Sequence, residues 1–66
     1  MKELTYEDWQ KNPTPRKMWC WNSSIEHKIK AKVIHVLKYG ICLYPVISIT
    51  DNDDYYETYM HCAEIE

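Results

Sequence analysis

A mainly-β domain with a short N-terminal helix is what this sequence predicts, and three observations predict it. Side-chain character changes at every second position over residues 16–21 and again over 29–37, the period of a strand. Three tryptophans, six tyrosines and no phenylalanine, together with many β-branched residues, suit a pleated, half-buried surface. Turn-forming clusters at Asn22-Ser23-Ser24, Tyr39-Gly40 and Asp51-Asn52-Asp53-Asp54 divide the runs at short intervals. With 66 residues the chain holds one domain, residues 1–66, with 1–15 as helix and proline-containing lead-in and 16–66 as the β body. That length excludes a multidomain enzyme and a Rossmann or P-loop nucleotide fold. The longest apolar stretch, Ile41-Cys42-Leu43-Tyr44, is far short of a membrane span.

The elements follow in order. Thr5 with Asp8 three residues on is a capping arrangement, so a helix should run from about Tyr6 to Lys11. It must stop at Asn12-Pro13-Thr14-Pro15, because each proline pushes the residue before it out of the α region. Leu4, Tyr6 and Trp9 are placed to pin it to the body. In the first strand, Lys17, Trp19 and Trp21 point one way and Arg16, Met18 and Cys20 the other. In the second, Ile29, Ala31, Val33, His35 and Leu37 alternate with Lys28, Lys30, Lys32, Ile34, Val36 and Lys38. The lysines give way at Ile34 and Val36, which predicts a strand covered on both faces there. Gly40 marks a turn, and a third strand should run from about Cys42 to Thr50. Pro45, lacking an N–H, belongs at a strand start, an edge or a bulge. Asn52 is the best candidate for a left-handed residue in the acidic loop. Residues 55–63 also fit a helical face through Tyr56, Tyr59, Met60 and Ala63. The preferred reading is a strand to about Met60, a single helical turn at His61-Cys62-Ala63, and a closing strand at Glu64–Glu66. Four to five short antiparallel strands with such a turn before the last describe a small SH3-like barrel, whose first and last strands would be neighbours.

Eight basic and ten acidic residues leave a net charge of −2, which argues against a nucleic-acid partner. The charges are segregated: Lys28, Lys30, Lys32 and Lys38 sit in a stretch without acids, and Asp51, Asp53, Asp54 and Glu57 in one without bases. Such asymmetry can orient a charged ligand or join one subunit's basic strand to another's acidic loop. The three cysteines, Cys20, Cys42 and Cys62, are odd in number and lack metal or redox spacing, and the acidic N-terminus does not read as a signal peptide. They read as reduced, mostly buried thiols of a cytoplasmic protein. With disulfides set aside and no metal or other cofactor expected, a core this small calls for dense Trp and Tyr packing and for partner subunits.

Few constellations carry chemistry. His27, His35, His61 and Cys62 lack zinc-ligand spacing. The acidic loop lacks the glycine and the closing glutamate of a calcium loop. Adjacent His61 and Cys62 would point apart on an extended chain, and Ser23 and Ser24 have no oriented base. The chain is therefore not expected to be an enzyme. The aromatic set is sharper. Trp19 and Trp21 share a strand face with Lys17, and Tyr55, Tyr56 and Tyr59 lie near the strand expected beside it. A stacking ring, a cation and a polar tip on one surface suit a nucleobase with its phosphate.

The run Pro15-Arg16-Lys17-Met18-Trp19-Cys20-Trp21, with Lys32-Val33-Ile34, Tyr44-Pro45-Val46-Ile47 and His61-Cys62-Ala63-Glu64-Ile65, resembles short proteins of phages and prophages of gut Firmicutes. Tyr6-Glu7-Asp8-Trp9 and Asn12-Pro13-Thr14-Pro15-Arg16 are similar too, so the resemblance spans nearly the whole chain. It departs at Cys20, where an aliphatic residue is expected. The resemblance implies a phage origin and, by analogy with other small phage β-domains, a role against host defence. The combined expectation is a non-enzymatic homo-oligomer that captures an anionic, nucleotide-like immune signal. Arg16, Lys17, Lys30 and Lys32 would contact phosphate, Trp19, Trp21 or Tyr59 would stack, and His61 would add a hydrogen bond. The alternative expectation is an inhibitor or adaptor that occupies a host protein without a small ligand.

Overall fold

Local signals set the N-terminal helix. In the computed structural model, which describes all 66 residues, helix α1 spans Tyr6–Lys11. The Thr5 hydroxyl accepts from the Asp8 N–H at 3.1 Å, and the Asp8 carboxylate accepts from the Thr5 N–H at 3.2 Å. Six residues do not hold a helix alone. Trp9 anchors it, buried in one core with Leu4, Met18, Cys20, Val33, Val36, Ile47 and Cys62.

Five strands follow: β1 (Arg16–Trp21), β2 (Ile29–Tyr39), β3 (Cys42–Ser48), β4 (Tyr56–Thr58) and β5 (His61–Glu64). They form one antiparallel sheet in the order β4-β3-β2-β1-β5. The mainly-β expectation with one short helix therefore holds, as does the pairing of first and last strands. Between β1 and β2 the chain makes a 3₁₀ turn at Ile25–His27, capped by the Ser24 hydroxyl, which accepts from the Glu26 N–H. No helix is long and apolar enough to cross a membrane.

Strand β2 is the longest strand and joins both halves of the sheet. Its eleven residues pair with β1 over the first half and with β3 over most of their length. The strand bends at a bulge: Val33 pairs with Ile47 and His35 with Val46, leaving Ile34 as the extra residue. Val33 and Val36 are consequently both core residues although they stand three apart. The interrupted lysine alternation marks this phase change rather than a strand covered on both faces. His35 is exposed, and Ile34 is only half-buried.

Closure into a barrel, expected from the sequence, does not occur. Strand β4 has three exposed residues and pairs only with β3. The free side of β5 pairs instead with the N-terminal segment: Glu3 bridges Ala63, and the Leu4 N–H donates to Cys62 O at 2.8 Å. That segment occupies the ladder positions a closing strand would need.

Three local expectations are corrected. His61-Cys62-Ala63 is not a helical turn but most of β5, held by pairing Trp21 with His61, Cys20 with Cys62 and Trp19 with Ala63. The stretch 55–63 is thus strand, bend and strand, with the closing strand ending at Glu64. Strand β3 ends at Ser48 rather than Thr50, where the Ser48 hydroxyl donates to Thr50 O at 2.7 Å and turns the chain. The left-handed residue of the acidic loop is Asp53, at φ 57°, not Asn52. Pro45 lies one residue beyond the β3–β4 ladder, where only its carbonyl is used, accepting from the Tyr59 N–H.

Candidate functional site

The outward face of β1 and β2 collects the basic and aromatic residues. Register places Lys17 opposite Lys32 and Trp19 opposite Lys30. Residues directly opposite on one face lie within side-chain contact. The Nζ of Lys30 is 5.0 Å from the centroid of the Trp19 ring, and that of Lys28, just before β2, is 4.9 Å from it. Both distances are within the range of cation–π attraction. Trp19 itself is half-buried and open on this face.

Of the lysines around it, only Lys32 has an acidic partner: its ammonium meets Asp53 at 3.3 Å. The basic strand and the acidic loop, which could have joined two subunits, thus meet within one chain. The Ser48 hydroxyl first and the Lys32 ammonium second hold the Asp53 carboxyl below its ordinary range. Lys17, Lys28 and Lys30 make no ion pair. A shallow groove of about 490 Å³ adjoins this face and brings together Lys17, Lys30, Lys32 and Tyr59. The same groove carries Asp51, Asp53 and Glu57, so its lining is of mixed charge. Tyr59 is half-buried against the core.

The other expected residues lie elsewhere. Arg16 faces away from Lys17, and its donors are occupied. Its Nε and Nη2 grip the Glu64 carboxylate at 2.6–3.2 Å, and its Nη1 donates to Asn12 O and Thr14 O at 2.8 and 2.7 Å. Its guanidinium also lies 5.2 Å over the Trp9 ring. Hydrogen bonding to Glu64 raises the Arg16 pKa and lowers that of Glu64. Arg16 ties the proline lead-in to β1 and β5. Trp21 is buried, and one of its faces is covered by His61, whose ring stacks on it at 5.5 Å and 19°. The Nδ1 of His61 in turn contacts the Glu3 carboxylate. These two rings anchor the N-terminal segment.

Lys28 was not among the residues expected at the site. Its signal is visible once the strands are aligned, because a lysine two positions before the cross-strand partner of Trp19 flanks the same ring. Cys20 and Cys62 are buried, and burial pushes their thiols up to about 11 and about 12. Cys42 is exposed. No three His, Cys, Asp or Glu side chains converge as a metal-ligating group.

Compared with protein-family models, curated proteins and solved structures, the chain matches none of them.

Proposed function

We propose that the chain is a small non-enzymatic module of phage origin that captures an anionic, nucleotide-like signal of host defence and acts as a homo-oligomer. One observation carries the reading: two ammonium groups flank the half-buried Trp19 ring at 4.9 and 5.0 Å, with no acid paired to either. Lys17 adds a third unneutralised cation on the same strand face. A planar base would stack on the indole, while the displaced lysines swing to the phosphates it carries. Arg16, Trp21 and His61 have no ligand role in this reading, since their polar groups and faces are engaged within the chain. Tyr59 and Lys32 border the adjoining groove and can extend the contact.

Calorimetric titration with cyclic dinucleotides and ADP-ribose-type nucleotides tests the proposal. Replacing one stacked base contact in Trp19→Ala should weaken binding by about tenfold or more. The paired change Lys28→Ala/Lys30→Ala should weaken it further and flatten its salt dependence. Heat-denaturing the complex should release the nucleotide intact. No heat of binding with any nucleotide, or Trp19→Ala binding as tightly as the parent, would sink the idea. Release of a chemically altered nucleotide would point to an enzyme.

A second reading, an inhibitor seated on a host protein, is favoured by the β4 edge. There Tyr55 and Tyr56 stand 66% and 57% exposed at a strand whose outer edge is unpaired. An edge of this kind can extend a partner's sheet. Co-purification of one host protein that is lost in a Tyr56→Pro variant, with no nucleotide response, selects this reading.

A further inference from the structure

The two-residue turn joining β2 to β3 presents an isoleucine to solvent without cover. Tyr39 pairs with Cys42, leaving Gly40 and Ile41 at the tip. Gly40 takes a φ of +62°, the left-handed conformation that a tight hairpin needs at its first central residue. Ile41 follows at full exposure. Beside this knob opens a recess of about 520 Å³, the space between the hairpin tip, the start of α1 and the Met60–His61 bend. Its lining includes the apolar side chains of Leu4, Leu43 and Met60. Two charges of opposite sign are also in its lining. Glu7 makes no ion pair, and Lys38 has only the Tyr6 ring, 5.3 Å from its ammonium.

A knob, an apolar recess and one unpaired charge of each sign in a single patch are the requirements of a self-complementary interface. We infer that two copies of this chain pair about a two-fold axis through this patch. Each Ile41 enters the partner's recess over Leu4, Leu43 and Met60, and each Lys38 meets the partner's Glu7. The inference rests on the homo-oligomer part of the reading above and names the surface. It is independent of where the ligand binds, because none of these residues belongs to the Trp19 face. A foreign partner would need only one half of the pattern, whereas this patch carries both halves.

Sedimentation equilibrium of the full chain and of Ile41→Lys tests it. Ile41 makes no packing contact within its own chain to lose, so the variant keeps its circular dichroism spectrum. The parent should be a dimer, and Ile41→Lys should raise the dissociation constant by about a hundredfold, since two buried isoleucines are lost per dimer. Glu7→Lys and Lys38→Glu should each weaken the dimer, and the double change should restore it. A parent oligomer indifferent to Ile41→Lys overturns this surface while leaving oligomerisation standing. A double change that fails to restore the dimer overturns the two-fold pairing. A parent that stays monomeric overturns both the surface and the oligomeric reading, and nucleotide titration then decides ligand capture separately.

Discussion

Three cysteines of one chain occupy two chemical environments. Cys20 and Cys62 face each other across β1 and β5 inside the core, and burial holds their pKa values near 11 and 12. A thiol attacks as its thiolate, so at neutral pH these two are both shielded and protonated. Cys42, at the start of β3, is exposed. In Ile41→Lys, where no partner covers the recess that Cys42 lines, an aromatic disulfide reagent should therefore label one thiol rapidly in the native protein and the other two only after denaturant is added. Rapid native labelling of all three would contradict the packing of β5 against β1.

Elements differ in how far their own residues specify them. Helix α1 was legible because its determinants are local: Thr5, Asp8 and the prolines at 13 and 15 lie within one short stretch. Thr5→Ala should cost about 1 kcal/mol, lowering the melting temperature by about 4–8 °C for a domain of this size. An unchanged melting curve would mean that Trp9 alone holds the helix. Strand β5 was not legible, because nothing between His61 and Glu64 favours strand over turn. Its conformation comes from β1, some forty residues earlier, and from the N-terminal segment on its other side. The bulge at Ile34 left only an interrupted lysine pattern, which has more than one physical cause. At the candidate site, Lys17, Trp19, Lys30 and Lys32 shared a face by period alone. The engagement of Arg16 was not legible, because its partners, Glu64 and two carbonyls of the lead-in, are brought to it by the fold.

For the whole molecule, acid titration is the most direct probe of these long-range ties. The Glu64 carboxyl is held below its ordinary value of 4.5 chiefly by hydrogen bonds from Arg16. Thr5 does the same for Asp8, and Ser48 and Lys32 for Asp53. A carboxyl whose pKa is depressed on folding contributes stability above its unfolded value and loses it as pH falls through the folded one. Stability to urea should therefore be flat above about pH 5 and decline below it. Arg16→Met should flatten part of that decline, by well under about 1 kcal/mol because Glu64 is half-exposed. An acid limb unaltered in the variant would show that the Arg16–Glu64 pair does not link β1 to β5 in solution.

The single surplus residue at position 34 sets how far β2 reaches. With it, one strand does the work of two: its first half carries Lys30 and Lys32 toward the Trp19 ring, and its second half delivers Lys38 and the hairpin tip to the end of α1. A strand of the same composition without the bulge would turn every side chain beyond position 34 to the opposite face. The nucleotide-facing and self-associating surfaces proposed here would then be governed by one backbone offset that touches neither of them. Loss of that residue would move the two surfaces relative to each other, whereas exchanging it for another side chain would leave their geometry in place.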